Sequence, residues 1–316
     1  MKYLYFLFLV LLFNSCARDI DLDKYREAEG ENLLTVNSII NPDSTVSVSA
    51  TRMFFFSDIH NERTVVPDLD IMLYVNSQFT EKMRFNSETK LYDSTTRPAI
   101  GDEISLQTTF KEVTVKATDI IPQKVTIESI SAERQGPMHI YVDDNYVHTY
   151  RITFSDNPDE ENFYFLQYDV PEYHGGDMGE WDFTYEFVFQ QLARQVNATL
   201  PGWEPYSPYG LPFSDRGIEG KTHTLVVREI RQGVSSRARN RQFKLYAISK
   251  PYYNYLVSIL CNRSDDGGIH GGVIDIGFAE PIKVYSNIEG GTGILGCYVV
   301  EPVTVDIFSL PGMFPE

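Results

Sequence analysis

The chain has 316 residues, 42% of them hydrophobic and 13% aromatic, and a formal net charge of −17. That composition is globular, not disordered. The charge argues against nucleic acid and anionic surfaces, which need clustered Lys and Arg, and leaves neutral ligands or cationic peptides as compatible partners.

Met1-Lys2 and the apolar run from Tyr3 to Phe13 open the chain. The run is shorter than the roughly 20 residues that span a bilayer as a helix, but it suits the apolar core of a secretory signal. Phe13-Asn14-Ser15-Cys16 then resembles the relaxed lipoboxes of Bacteroidetes. The resemblance implies a signal peptide over 1–15, cleavage before Cys16 and lipid on its thiol. Arg18, Asp19, Asp21 and Asp23 follow at once. They resemble the short signal that carries such lipoproteins to the outer face of the outer membrane. Residues 16–31 read as a lipidated tether. No second apolar run is long enough to cross a membrane, so the rest is expected to be soluble and tethered.

From Leu33 the pattern changes to alternation. Leu34–Ile40 and Thr45–Ala50 flank Asn41-Pro42-Asp43-Ser44, which is hairpin chemistry. Short strands follow at Ile71–Val75, Glu81–Phe85, Leu91-Tyr92, Ile104–Gln107 and Val113–Ala117. Such spacing predicts an immunoglobulin-like β-sandwich over 32–121, ended by Ile121-Pro122. Residues 122–316 are expected to form a larger antiparallel β-sandwich or barrel-like domain, so the fold class is all-β. Its strands are placed at 125–130, 146–154, 162–170, 222–231, 241–249, 252–260, 280–287, 296–300 and 303–308. An insertion over 171–213 interrupts them. There, Phe187, Gln191 and Arg194 have helical spacing within Trp181–Val196, and Pro201–Phe213 reads as an ordered loop.

Little in the residues points to catalysis. The six His show no metal spacing, there is no Gly-x-Ser-x-Gly elbow, and neither later Cys sits in a nucleophile signature. No enzyme, cofactor or metal is expected. The aromatic insertion is the candidate binding segment. Trp181, Trp203, Tyr206 and Tyr209 offer faces that stack on sugars or prolines; packing against the core is the alternative. With Cys16 assigned to lipid, Cys261 and Cys297 remain. A disulfide could join them in an exported protein, or both could be buried thiols in strands. Asp43-Ser44-Thr45 and Asp93-Ser94-Thr95 resemble O-glycan attachment sites of Bacteroidetes, with Ser44 and Ser94 as acceptors.

The segment Glu280–Tyr298 holds a Pro-led run, Ser286-Asn287-Ile288, a Gly-rich turn and Gly293-Ile294-Leu295-Gly296. It resembles the C-terminal hallmark of the DUF4249 family of Bacteroidetes surface lipoproteins. Phe154–Asp156 with Asn162-Phe163-Tyr164, and Phe213-Ser214-Asp215 with Gly220, resemble two further family segments. The insertion and Cys297 depart from the family pattern. The resemblance implies a non-catalytic surface lipoprotein, accessory to a TonB-dependent SusC/SusD-like importer, that binds a glycan or peptide or docks on the transporter. A structural or adhesive surface subunit is the alternative.

Overall fold

Alternation dictates the first hairpin. In β1 (Leu34–Ile40) the side chains of Leu34, Val36, Ser38 and Ile40 point inward, and in β2 (Ser47–Arg52) those of Val48 and Ala50 meet them. Asn41 closes the turn by accepting from the Asp43 amide at 2.8 Å. The computed structural model describes residues 33–52, 65–135, 146–171, 180–183, 185–195, 210–231, 239–261 and 283–310.

Within the first unit, β3 (Met72–Val75), β4 (Gln78–Lys82), β7 (Glu103–Phe110) and β8 (Val113–Ile120) make a four-stranded sheet in the order β4-β3-β7-β8. Two-residue turns join β3 to β4 and β7 to β8. In both turns the two residues have positive φ, Asn76-Ser77 in the first and Lys111-Glu112 in the second. This is the turn geometry that matches strand twist in a hairpin. β5 (Arg84–Asn86) and β6 (Leu91–Asp93) continue the sheet of β1 and β2. Leu34, Val48, Ile71, Leu73, Tyr92 and Ile104 are buried in the core of this unit.

Further along, β9 (Ile127–Gln135), β10 (Tyr146–Ser155), β12 (Glu180–Asp182) and β14 (Thr222–Arg231) form a second four-stranded sheet. β11 (Phe163–Asp169), β13 (Leu211–Ser214), β15 (Asn240–Ile248) and β16 (Thr292–Asp306) face it. Two helices, α1 (Phe187–Gln195) and α2 (Lys250–Cys261), join this core. Aromatic rings fill it; Tyr150 meets Phe243 at 5.1 Å and Phe154 meets Phe213 at 6.2 Å. The architecture is thus mostly β, with antiparallel sheets in a sandwich-like arrangement and, among the described residues, no closed barrel.

One strand crosses the expected division at 121/122. β16 begins parallel to β1, with Thr35 opposite Thr292 and Ile40 opposite Cys297. It then runs antiparallel to β15 from Tyr298 to Asp306. A single eight-stranded sheet, β13-β11-β15-β16-β1-β2-β6-β5, therefore passes through both units. Leu295, Cys297 and Val299 lie in the first core, although they come from the far end of the chain.

Several expected elements take another form. Residues 252–260, read as a strand, lie in α2: Ser249 caps it by accepting from the Tyr252 amide, and Pro251 sits in its first turn. Of the strand expected at 280–287, the described residues 283–287 join no ladder. The two strands expected at 296–300 and 303–308 are one, β16, ending at Asp306. Pro302 is tolerated because only β15 pairs with that half of β16. The helix expected within 181–196 is α1, preceded by the short edge strand β12.

Candidate functional site

Two loops of the second unit are sewn together by buried aspartates. Asp156 accepts from the Tyr164 hydroxyl at 2.5 Å and from the Gly220 amide at 2.7 Å. Asp215 accepts from the Asn162 amide at 2.6 Å, and its own amide donates to the Asn162 carbonyl. Gly220 is required here: its φ is +64°, and a Cβ would stand 2.8 Å from Pro158. Burial pushes the Asp215 carboxyl up, the Asn162 amide opposes this, and the charges of Asp156, Glu219 and Glu161 raise it further. Phe154, Tyr164 and Phe213 pack on one another beneath these loops.

The loops border an open cleft of about 740 Å³. Its floor is the ring pair Phe163–Tyr253, with centroids 4.7 Å apart. Lys250 reaches over Phe163 and pairs with Glu161 at 2.7 Å. The Tyr253 hydroxyl donates to Gln195 at 3.0 Å. Exposed Asp159, Glu160, Arg216 and Glu219 form the rim, with Asn254 beside them. A second hollow of about 660 Å³ runs along α1 past Gln191 and Arg194; it shares Gln195, Ser214, Arg216 and Tyr253 with the first. Among the described residues, no His or Cys lines either hollow. Among the described residues no cluster of His, Cys, Asp and Glu suits a metal ion. The groove can hold polar groups through several carboxylates, a guanidinium and side-chain amides.

A separate charged network is sealed inside the second core. Arg241 and Glu229 are both fully buried, and the Arg241 Nε donates to the carboxylate at 3.1 and 3.2 Å. The Tyr150 hydroxyl donates to Glu229 at 2.7 Å, and His148 lies 3.5 Å from it. These groups tie β14 to β15 across the core. No ligand reaches them without opening it.

Of the residues singled out from sequence, Cys16, Trp203, Tyr206 and Tyr209 lie outside the described residues. So does the side chain of Trp181, whose backbone lies in β12. The segment carrying Trp203, Tyr206 and Tyr209 departs from Gln195, on the cleft rim, and returns at Gly210. Cys261 and Cys297 are both free thiols, which corrects the disulfide. Cys261 ends α2 against the second core, whereas Cys297 is buried in the first. Ser44 is exposed in its turn. Ser94 is not available as an acceptor: it is buried, accepts from the Val46 amide and donates to the Thr96 carbonyl. Sequence reasoning missed Glu161, Phe163, Arg216, Glu219, Lys250 and Tyr253. The turn residues Asn157-Pro158-Asp159 were the available signal, but they mark a loop without revealing what faces it.

A family model described as "Domain of unknown function (DUF4249)" matches residues 18–302. No curated protein matches. Among solved structures, a protein described as membrane anchored from Corynebacterium diphtheriae is 10% identical with a TM-score of 0.21, covering 69% of this chain and 54% of that one. A glycosyl hydrolase family 2 member from Bacteroides cellulosilyticus is 13% identical with a TM-score of 0.18, covering 65% of this chain and 23% of that one. Likenesses this weak carry no argument. Among the described residues, no helix is long and apolar enough to cross a membrane.

Proposed function

We propose a function from one premise: the chain belongs to the DUF4249 family, whose description supplies no activity. It acts as a non-catalytic surface lipoprotein, held to the outer membrane by lipid on Cys16, and works beside a SusC/SusD-like importer. Its cleft takes an uncharged glycan. The observation that carries this reading is the cleft itself. Asp159, Glu160 and Glu219 can accept from neighbouring sugar hydroxyls, while Arg216 and Asn254 can donate to ring or hydroxyl oxygens. The excess of carboxylates on the rim disfavours anionic ligands.

The test is calorimetry of the mature chain against neutral oligosaccharides, with the exposed pair Arg216→Ala and Glu219→Ala as control. At about 1.5–3 kcal/mol per hydrogen bond to a charged group, each substitution should weaken binding by at least tenfold. Binding that survives both changes would move the site elsewhere. Binding of cationic peptides but no glycan would replace the ligand class. Loss of membrane association in Cys16→Ala, and co-purification of the wild type with a transporter, test the anchor and the partner.

A further inference from the structure

Where β8, α2 and β16 meet, three side chains with no part in the cleft form a buried polar seam. Asp119 is the penultimate residue of β8, Ser249 caps α2 and Cys297 belongs to β16; each is less than 10% exposed. The Ser249 hydroxyl donates to Asp119 at 2.5 Å. Its oxygen in turn accepts from the Cys297 amide at 3.1 Å and the Tyr252 amide at 3.4 Å. The Ile120 amide donates to the other Asp119 oxygen at 2.9 Å, and the Cys297 thiol also faces the carboxyl. Opposite Asp119 on β7 stands Ile104, and on β1 Ile40 pairs with Cys297; both are apolar. The nearest cation on α2, Lys250, is paired with Glu161. Among the described residues Asp119 makes no ion pair.

We propose that this seam is a proton-operated latch between the first unit and the cleft: the charge state of Asp119 sets the cap of α2, whose first turns carry Lys250, Tyr253 and Asn254 into the cleft wall. The assignment of the cleft rests on the function proposed above; the latch does not. An ionised carboxylate only accepts, and here every facing polar group donates to it. A protonated one must also donate. Of the acceptors facing it, the Cys297 sulfur is weak, and the lone pairs of the Ser249 oxygen already serve two amides. Protonation therefore competes with the Tyr252 or Cys297 amide for Ser249.

Burial is the first cause that moves Asp119, pushing it up to about 6 against the opposing pull of its hydrogen bonds. The folded chain then keeps a proton that the unfolded chain releases near 3.8. The stability from this group is complete below 3.8 and is lost as pH rises through about 6.

Amide resonances of Tyr252, Asn254 and Cys297 followed from pH 4.5 to 7.5 test the proposal without any ligand. All three should titrate with one midpoint near 6, and Asp119→Asn should abolish that midpoint. Ser249→Ala should leave the Asp119 carboxyl titrating while Asn254 no longer follows it. Flat Asn254 signals in the wild type, or a titration retained in Asp119→Asn, overturn the latch. If the Asn variant does not fold, the Asp119 carboxyl carbon is read in the wild type, and a midpoint different from that of Asn254 overturns it equally. Failure to find a glycan leaves every one of these outcomes intact.

Discussion

Thr108 shows how a single buried hydroxyl sets a local cost. It points inward from β7, is 5% exposed, and its oxygen has no hydrogen-bond partner among the described residues. The adjoining cavity is about 10 Å³ and is lined by Val36, Ile71, Leu106, Val115 and Ile288. A cavity this small is at the lower limit of what holds a water. Thr108→Val keeps the shape and removes the unsatisfied group, so it should stabilise the protein by about 1 kcal/mol in urea unfolding. A destabilised variant would show that the hydroxyl has a partner. Inward position was legible at this scale, because alternation in Ile104-Ser105-Leu106-Gln107 fixes the register of the strand. Ser94 was not: an Asp-Ser-Thr triplet in a turn looks accessible, but here it is buried with its hydroxyl accepting from the amide of Val46, just before β2.

Among the elements, hairpins were the most legible and α2 the least. Tyr252–Leu260 is rich in Tyr, Leu, Ile and Val, which favour strands. Three weaker signals spoke for a helix: Ser249 as cap, Pro251 in the first turn, and the four-residue spacing of Tyr253 and Val257, both buried. Tertiary packing against β16 and the second core decides the matter. The cleft could not be read for a related reason: α2 places Lys250 and Tyr253 over β11, and residues placed in a strand give no hint of that. The β7–β8 turn offers a test at this scale. Lys111 and Glu112 have φ of 47° and 68°, values that cost an ordinary side chain about 1 kcal/mol each. Lys111→Asn with Glu112→Gly should raise the thermal midpoint by several degrees, as about 1–2 kcal/mol does in domains of this size. An unchanged midpoint would mean that the exposed turn relaxes at no cost.

For the whole molecule, the sequence suggested a division after Ile121 but gave no sign of the strand shared across it. No local rule brings β1 to a partner at the other end of the chain. The Gly-rich hallmark is what permits it. Gly293 has φ +109°, and a Cβ there would stand 2.1 Å from the Val36 carbonyl. Asn287 meanwhile exchanges two hydrogen bonds with Leu295, and Glu289 bridges to Lys116 of β8. The Gly-rich segment is thus, in this chain, the joint between the two units. Residues 33–121 expressed alone lack the strand that covers Val36 and Ile40, and they should show no cooperative thermal transition. Adding a peptide of residues 283–310 should restore one. A cooperative transition of the fragment alone would make β16 dispensable to the first unit.

The pairing of β1 with β16 also orders events in time. A chain emerges from the ribosome with its N-terminus first, so β1 is made more than 250 residues before its partner β16. Contacts of such sequence separation form slowly, because the intervening loop must close before they are rewarded. Until β16 is delivered, the unpaired N–H and C=O groups along that edge of β1 stay open to other chains. A helper that shields it would then govern yield more than the stability of the finished fold does.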